Sequence, residues 1–472
     1  MYKQDKQETL FSNSIYFMGA HLEPNNRWVI LAKIIPWDTI EEKYAENFKN
    51  KESGRPAKPA RMALGSHIIK EKYGLSDEET VAMIVENPYL QFFLGGGQFE
   101  STVPFDASTM TWFRKRMTKE MIAEVNEYIA GGNKPNDGNP GGHGGEQSQK
   151  RENEGTLLMD ATCAPSDIRF PTDVSLLNEA REKTEAIIDA QYTASGKTGV
   201  KPRTYRRKAR RDYLKFARNR RPIIKTIRNA IRKQLGYVSR NLRTIESLGF
   251  NGLTAKQVAQ YETLRLLYKQ QEEMYTNKTH RIENRIVSIS QPFIRPIKRG
   301  KANADVEFGA KVAITLEDGY ARIEKLSWDA FNETSTLIEA TERYKDRNGC
   351  YPERILADKI YRTRDNLRFC EEHGIRMNGP RLGRPISNAV KNKLQRALER
   401  KESGERNAIE GEFGTGKRSY NLDRLTMRLQ ETSEVQIHMI FLSMNLWKRL
   451  KAFLLRFFFV EFFVNDWVVL TL

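Results

Sequence analysis

A stretch rich in glycine, asparagine and proline divides the chain at residues 131–155. It begins Gly-Gly-Asn-Lys-Pro-Asn-Asp-Gly and then becomes charged, so it lacks the apolar side chains that a segment buries in order to fold. We expect a flexible linker there. The chain on each side must then build its own core, and 472 residues are enough for two or three domains.

The chain before the linker carries helical signals. Apolar side chains recur at helical spacing over Met62–Tyr73, and Gly74 breaks the pattern. The sequence Ser76-Asp-Glu-Glu has the spacing of a capping box, which predicts a second helix over Glu78–Glu86. We therefore expect residues 1–130 to form an all-helical domain. Two helices joined by a short glycine turn are typical of a helix-turn-helix, although ordinary helical packing accounts for the same spacing.

The chain after the linker alternates between strand and helix patterns. A short apolar run predicts a strand at Thr156–Thr162. Alternation with a period of two predicts a hairpin formed by Glu307–Glu317 and Tyr320–Trp328. Another apolar run predicts a strand at Arg354–Asp358. This mixture indicates an α/β fold for residues 156–451.

A long helical segment of extreme charge lies between the first strand and the hairpin. Residues 201–243 contain seventeen Lys or Arg and a single acid, Asp212. Apolar side chains recur through it at helical intervals, and Pro222 is expected to begin a new helix or to kink the old one. We expect a basic helical insertion over about residues 175–290. A solvated helical face accounts for such a charge run, and so does binding to phosphates.

The charge balance favours a polyanionic partner. The chain has 78 Lys and Arg against 60 Asp and Glu, a formal net charge of +18. Ribosome-associated and membrane-surface proteins share this property, so charge alone does not select one class. Cys163, Cys350 and Cys370 form no Cys-x-x-Cys pair, which argues against a zinc cluster or a disulfide framework and favours a reduced cytosolic setting.

The apolar tail at residues 452–472 is about as long as a membrane span. Arg456, Glu461 and Asp466 interrupt it, and each central charge costs roughly 2.5–3.5 kcal/mol on insertion. We therefore expect no membrane span. A docked helix or strand and an end without settled structure are the alternatives. The polar N-terminus shows no signal-peptide pattern.

Two aspartates and one glutamate stand in contexts that suit metal binding. Asp160 and Asp358 each close an apolar run that predicts a strand, so we expect both carboxylates to be rigidly placed. Glu410 follows Arg406 by four residues and precedes Lys417 by seven, which puts all three side chains on one face of a helix. Carboxylates that converge on two divalent cations can support phosphodiester cleavage.

Each of these acids also has an ordinary explanation. An aspartate at a strand end is commonly a turn former or a helix N-cap, and an Arg–Glu pair four residues apart is commonly a surface salt bridge. Glu412 is a rival for Glu410, although a residue two positions on would face elsewhere on a helix. Spacing alone does not make the three acids a site.

Three segments together resemble the bacterial insertion-sequence transposases of the DDE type. They are Leu158-Met-Asp-Ala-Thr-Cys-Ala-Pro-Ser-Asp-Ile168, Ile355-Leu-Ala-Asp-Lys-Ile-Tyr361 and Arg406-x3-Glu410-x6-Lys417. Further similarity lies in the block before that family's second and third strands and in its helical N-terminal domain. The segments concerned are Arg299-Gly-Lys301, Val306-Glu-Phe-Gly309, Met62–Leu94 and Phe105-Asp-Ala-Ser-Thr109. The resemblance covers most of residues 30–450 and implies an RNase H-like catalytic domain.

The resemblance implies metal-dependent strand cleavage and strand transfer of an insertion sequence. The catalytic and metal-binding residues would be Asp160, Asp358 and Glu410, which would hold two Mg²⁺ ions with Mn²⁺ as a substitute. Arg406 and Lys417 match the basic members of the family's glutamate-helix motif. The family usually carries a tyrosine three residues before that arginine, where this chain has Ser403.

The partner implied by the resemblance is double-stranded DNA, namely the element's terminal inverted repeats and the target. The chain is expected to act as a homodimer on DNA, without a membrane, in the bacterial cytoplasm and in association with the nucleoid. Besides Arg406 and Lys417, the candidates for contact with DNA are Arg206, Arg207, Lys208, Arg210 and Arg211 in the basic segment, and Arg55, Lys58 and Arg61 before the linker. Two rival functions are an RNase H-like nuclease that does not join strands and a DNA-binding derivative without catalysis.

Overall fold

Helices and a mixed sheet make up the computed structural model of the chain, which confirms an α/β fold. The structure describes residues 16–17, 20–48, 56–131, 152–301, 304–379 and 389–469. Most of the predicted linker, residues 132–151, lies outside the described residues. The chain divides into two compact units, Met1–Ala164 with Lys311–Leu326 and Phe331–Leu472, and Pro165–Ala310 with Ser327–Ala330.

Most of the described chain before the linker is helical, as the apolar spacing predicts, but it is not all-helical, because Tyr16–Phe17 and Ala20–His21 form a two-stranded sheet. The described elements before the linker are β1 (Tyr16–Phe17), β2 (Ala20–His21), α1 (Arg27–Ile34), α2 (Trp37–Glu46), α3 (Ala60–Tyr73), α4 (Asp77–Glu86), α5 (Pro88–Phe93), α6 (Thr109–Arg116) and α7 (Lys119–Gly131). The predicted capping box is present, because the Ser76 side chain accepts from the Glu79 N–H and the Glu79 side chain accepts from the Ser76 N–H. Gly74 ends α3 in the left-handed region, at φ 66°.

The sheet confirms the predicted strands. Its strands are β3 (Thr156–Pro165), β4 (Arg295–Lys301), β5 (Ala304–Glu317), β6 (Tyr320–Ser327), β7 (Arg354–Ala357) and β8 (Arg376–Met377). In the first unit β5, β3, β7 and β8 lie side by side in that order, and β6 pairs with β5. Asp318 and Gly319 turn the β5–β6 hairpin with positive φ values of 51° and 78°, which suits a tight turn between twisted strands. In the second unit β4 pairs antiparallel with the start of β5.

The second unit contains the predicted basic helices. They are α8 (Asp173–Ala194), α9 (Arg206–Ala217), α10 (Ile224–Leu248) and α11 (Ala255–Thr276). α10 begins two residues after Pro222, as expected for a proline at a helix start. Ile188, Val238 and Leu264 are fully buried in the core that these helices share. The last of these helices ends at Thr276, earlier than the predicted insertion boundary near residue 290, and a non-helical segment then buries Ile286.

The first unit continues with α12 (Leu337–Asn348), α13 (Arg364–Glu372), α14 (Ala389–Ser419) and α15 (Gln430–Val469). Helix α14 is continuous through Ser403 and Gly404, and residues 420–429 are not helical. Asn421, at φ 56°, follows the helix end. The backbone of the apolar tail continues α15 as far as Val469.

The core of the first unit joins the N-terminal helices to the last helix. Trp28, Tyr44 and Phe93 are buried together with Leu442 and Leu446 of α15. The compact units therefore do not follow the predicted boundaries at 130 and 156, because apolar residues distant in sequence share one core. The division into functional domains stays a prediction. No helix among the described residues has the length and apolar character needed to cross a bilayer.

Candidate active site

The two aspartates that were predicted to end strands come from neighbouring parallel strands. The prediction fits Asp358, which follows β7, but it is wrong for Asp160, because β3 continues to Pro165. β3 and β7 pair in parallel, and their last paired residues are Met159 and Ala357. The next residues along the two strands are Asp160 and Asp358. Neighbouring strands lie about 4.8 Å apart, so this register places the two aspartates next to each other on the same face of the sheet.

The two faces of these strands meet different helices. Met159 and Ala357 are buried in a core that includes residues of α12. Successive side chains of a strand point to opposite faces, so the two aspartates point away from that core. Arg354 lies on the face of the aspartates and pairs with Glu405 of α14 at 2.5 Å. Helix α14 therefore packs on the face that carries the aspartates.

Helix α14 is fixed to the sheet along one of its own faces. Glu402 pairs with Arg376 of β8, and Ile409 is fully buried. Together with the pair formed by Glu405, these contacts recur at helical spacing. Arg406 and Glu410 lie beside this anchored face, which determines where they meet the strand ends.

Arg406 connects the first and third predicted acids. Its Nη2 donates to Oε1 of Glu410 at 2.9 Å, and its Nη1 lies 3.8 Å from Oδ2 of Asp160. The side chains of Arg406 and Asp160 are about one-fifth exposed, whereas that of Glu410 is 55% exposed. The ordinary salt bridge between residues four apart is present, but its arginine is shared with a carboxylate on the strand.

Asp358 is exposed and acts as the N-cap of a short 3-10 turn at Lys359–Tyr361. Its side chain accepts from the N–H of Lys359 at 2.6 Å. This is the local role that an aspartate at a strand end commonly takes. One carboxylate oxygen accepts that bond, so the group keeps acceptor capacity for another partner.

The rival Glu412 has different surroundings from Glu410. Burial raises the pKa of the Glu412 carboxyl, and Lys448 of α15 is the positive group that opposes the rise. Glu410 is instead held by Arg406 beside Asp160. Lys417 lies two turns after Glu410, so the two residues share one face of α14. The Lys417 side chain is half-buried.

The Asp160 carboxyl lies in a site with little solvent and several charges. Burial raises its pKa to about 6, against the hydrogen bond that it accepts from the Ala161 N–H at 2.8 Å. The negative charges of Glu333 and Asp358 raise the pKa further, and Arg406 lowers it. The carboxylates at this strand edge therefore repel one another, which is the condition that a bound cation relieves.

Two residues of this site had not been singled out from the sequence. Glu333 begins a short 3-10 turn before α12, and its carboxylate pairs with Lys311 of β5 at 2.8 Å. Lys311 also donates to the carbonyl of Phe331 at 2.8 Å, which fixes its position. Lys311 is a charged residue in an otherwise apolar strand, so the sequence pattern was sufficient to mark it as a candidate site residue. Glu333 lies in a polar loop, where no spacing rule distinguishes it.

Tyr361 is also part of this site. Its segment carries part of the family resemblance, which implies no role for its phenol. The side chain is fully buried. Burial raises the pKa of the phenol, and so do the charges of Glu333, Asp160 and Asp358. The phenol thus stays protonated beside the carboxylates.

The donor set suits a hard cation, because carboxylate oxygens are the ligands that Mg²⁺ prefers. Asp160 and Asp358 stand side by side at the strand edge. In the part of the chain that the structure describes, no three His, Cys, Asp or Glu side chains are arranged to hold a metal ion. The third acid, Glu410, is bound to Arg406 instead.

The predicted DNA-binding residues of the basic segment fall into two groups. Arg206 forms a bidentate pair with Asp189 of α8, with an Nη2–Oδ1 distance of 2.9 Å. Although residues 201–243 contain a single acid, α8 supplies an acidic partner for Arg206 from outside that segment. The remaining four residues are exposed, and none forms an ion pair with a described residue. They are Arg207, Lys208, Arg210 and Arg211.

The three DNA-binding candidates before the linker also differ from one another in their surroundings. Arg55 lies outside the described residues. Lys58 is half-buried. The Arg61 guanidinium donates to the carbonyls of Phe93 and Phe92 at 2.8 and 2.9 Å, so it caps the end of α5.

Comparisons with known proteins agree with these observations. The family described as "Transposase DDE domain" matches residues 355–447, and the family described as "Transposase domain (DUF772)" matches residues 17–116. The first match includes Asp358, Arg406, Glu410 and Lys417. No solved structure matches the chain.

One curated relative aligns with this chain over most of the relative's own length. The chain is 35% identical over 164 residues to the "Uncharacterized protein ORF8 in nfe locus" of Rhizobium meliloti. The aligned part is 34% of this chain and 73% of the relative. Together with the two transposase families, this relationship settles the family. The chain belongs to the insertion-sequence transposases of the DDE type.

Proposed function

We propose that the chain cuts DNA at the ends of an insertion sequence and joins them to a target, with Asp160, Asp358 and Glu410 as the catalytic acids. The observation that carries this proposal is the register of β3 and β7, which brings the two aspartates to one strand edge. Arg406 connects that edge to Glu410. The matched family segment includes the positions of Asp358 and Glu410, and the assignment of Asp160 rests on the register.

DDE transposases generally use divalent metals and act on DNA. Two Mg²⁺ ions, or Mn²⁺ in their place, would activate the attacking oxygen and stabilise the leaving oxygen. The three carboxylates would provide their oxygen ligands. Arg406 orients Glu410, and Arg406 and Lys417 would contact phosphates as the two basic residues beside the acids.

The proposed reaction has two stages. Water first attacks the phosphodiester at the end of the element and releases a 3′-hydroxyl. This hydroxyl then attacks a phosphodiester of the target, so that one bond forms as another breaks. Both stages displace an oxygen at phosphorus, so one set of acids serves both.

We propose an RNase H-like fold for the catalytic domain. Three observations support it. An antiparallel hairpin, β5–β6, lies beside the parallel strands β3, β7 and β8. Asp160 of β3 and Asp358, which follows β7, lie next to each other in the register of these two strands. The third acid belongs to α14, which packs on the face of the aspartates.

The exposed cations of the second unit support a contact with the DNA backbone. Four exposed cations lie close together in the first half of α9, namely Arg207, Lys208, Arg210 and Arg211. Such cations release counterions when they neutralise phosphates, which gives affinity without base specificity. Because two ends of an element must meet for transfer, we propose that the chain acts as a homodimer on DNA.

The experiment uses the full chain, a duplex with an end of the element and a target plasmid. Asp160→Asn, Asp358→Asn and Glu410→Gln should each abolish Mg²⁺-dependent cleavage and leave duplex binding intact. Asp365→Asn and Glu412→Gln are the matched controls, because Asp365 is an exposed acid near Asp358 and Glu412 is the rival of Glu410. Cleavage that survives the three site substitutions would overturn the assignment.

The same assay separates the two rival functions. A nuclease of this fold would give cleaved ends and no joined product. A DNA-binding derivative without catalysis would give a shifted duplex and no cleavage with either Mg²⁺ or Mn²⁺. Joined product from the unaltered chain excludes both.

A further inference from the structure

The loop between α9 and α10 presents two isoleucines to solvent. α9 ends at Ala217 and α10 begins at Ile224. The Ile223 and Ile224 side chains are 68% and 77% exposed. The nearest apolar residues on each side of the loop are not exposed in this way, because Phe216 and Ile227 pack against the core of the second unit. The exposed pair is therefore a local departure from the apolar pattern that builds the helices.

The exposed pair is surrounded by positive charge. The exposed basic residues within six positions of it are Arg218, Arg220, Arg221 and Lys225. None of them forms an ion pair with any residue that the structure describes, whereas Lys201 and Arg206 of the same unit both pair with Asp189. The loop thus combines uncompensated cations with an apolar tip, and this combination complements a polyanion that has apolar surface between its charges.

The loop has a defined conformation. The Asn219 side chain accepts from the Arg221 N–H at 3.2 Å, and the Asn219 N–H donates to the Phe216 carbonyl at 3.0 Å. Pro222 restricts its own φ angle. The Ile223 carbonyl accepts from the first turn of α10, at 2.9 Å from the Thr226 N–H. Little conformational freedom remains to be lost when this tip binds a partner.

Contacts with α11 also hold the first turn of α10 in place. Arg228 lies one turn after Ile224, and its guanidinium donates to the Tyr275 carbonyl at 3.2 Å and lies 4.5 Å from the Tyr275 ring. Tyr275 belongs to the last turn of α11. The exposed pair is therefore carried by a helix start that is packed against its neighbour.

We propose that Ile223 and Ile224 form an apolar wedge that enters the minor groove of duplex DNA and partly unstacks one base step. Proteins that kink DNA insert apolar side chains between base steps in this way, and nearby cations contact the flanking phosphates. A TA step opens most readily, so it is the preferred point of entry. This inference rests on the proposed binding of DNA by the second unit and adds a distortion to it.

A second copy of the chain is a poorer occupant of this surface. A symmetric contact between two copies brings the same surface patch of each together. Here that contact would place the four cations of one loop against the four of another. Duplex DNA brings opposite charge, and its base steps provide the apolar surface that the isoleucines need.

The test compares the unaltered full chain with the double variant Ile223→Ser/Ile224→Ser. Both side chains are exposed, and serine is favourable at position 223 because that residue is the N-cap of α10. Leu266→Ser is the matched control, since Leu266 is an apolar residue of the same unit that is 50% exposed on α11. The probe is a set of duplexes in which 2-aminopurine replaces the adenine of a TA step at successive positions.

The unaltered chain and the Leu266→Ser control should raise 2-aminopurine fluorescence at one position of the step. The rise should be roughly tenfold smaller with the double variant, because the wedge is lost. The slope of log affinity against log salt should stay the same in the double variant. It should fall by about 1 in Arg220→Ala, because one phosphate contact is lost.

The outcomes separate this inference from the proposed function. Binding without a fluorescence rise, or a rise that persists in the double variant, overturns the wedge and leaves DNA binding in place. A chain that binds no duplex overturns both. If the double variant changes the oligomeric state in light scattering without DNA, the surface is a contact between copies and the wedge is wrong. Circular dichroism of each variant verifies that the helices are retained.

Discussion

Arg406 of helix α14 forms an ion pair with Asp160 of strand β3, and the Arg406 Nη1 atom lies 3.8 Å from the Asp160 Oδ2 atom. The same guanidinium donates to Glu410 at 2.9 Å. A single arginine thus ties together two carboxylates that come from distant parts of the sequence. It neutralises part of the charge that these carboxylates would otherwise direct at each other.

Arg406→Met should reduce Mg²⁺-dependent strand cleavage by roughly tenfold or more, because a small displacement of a catalytic group is costly. Duplex affinity should change much less, since one cation among many is removed. Gel shifts and cleavage rates on the same duplex measure the two effects. Arg400→Met is the control, because Arg400 is exposed on the same helix and forms no ion pair with a described residue. An equal loss in both variants would contradict the role of Arg406.

Asp77→Asn should lower the free energy of unfolding by about 3 kcal/mol at pH 7, because it leaves two buried cations without their anion. Arg114 binds Asp77 in a bidentate manner at 2.8 and 2.7 Å, and Lys70 pairs with the same carboxylate. Denaturant unfolding measures the change. Glu78→Gln, at the next and exposed position, should leave stability nearly unchanged.

The same carboxylate predicts a dependence on acid. Burial would raise the pKa of Asp77, but the hydrogen bonds from Arg114 and Lys70 outweigh it and lower the pKa to about 2. Because this folded-state pKa lies below the ordinary value of 3.8, the stabilisation is complete above about pH 4. It should be lost as the pH falls from 4 towards 2. The Asp77→Asn variant should lack this part of the acid sensitivity.

Glu71→Gln should remove a loss of stability that the unaltered chain shows as the pH rises. Burial raises the pKa of Glu71 to about 7, against the charge of Lys70 and a hydrogen bond from Gln436. The folded state therefore holds the proton between pH 4.5 and 7 while the unfolded state releases it. The free energy of unfolding should fall by up to about 3 kcal/mol across that range.

Unfolding at pH 5 and pH 8 tests the prediction for Glu71. The buried His67, whose pKa burial lowers to about 3, changes the stability in the opposite direction over part of the range. The difference between Glu71→Gln and the unaltered chain removes that contribution, because His67 is present in both. A variant that is less stable than the unaltered chain at pH 8 would show that the charged form of Glu71 is needed.

Arg61→Ala should lower the free energy of unfolding by about 2 kcal/mol, because two charge-assisted hydrogen bonds to the end of α5 are lost. Burial lowers the pKa of Arg61 to about 10, so its surroundings exclude much of the solvent. Lys58→Ala, three residues earlier, should change stability little. Thermal unfolding measures both variants. Duplex affinity that falls in Arg61→Ala without a change in stability would favour a contact with DNA instead.

Local signals predicted the elements that depend on neighbouring residues. The capping box at Ser76, the hairpin turn at Gly319 and the start of α10 after Pro222 each involve contacts within a few residues. The sequence could not show that α14 is one helix, because Ser403 and Gly404 weaken the helical pattern at its centre. Contacts with β7 and β8 hold the helix on the sheet there.

The sequence by itself determined the two aspartates that close apolar runs, the glutamate with its two basic neighbours and the amphipathic basic helices, because these depend on order and spacing along the chain. Only the tertiary structure decided that Asp160 and Asp358 share an edge, that Arg406 joins Asp160 to Glu410, and that Glu333 belongs to the same site. It also placed α15 in the core of the N-terminal helices. These relationships depend on strand register and on apolar packing between residues hundreds of positions apart, which no local pattern records.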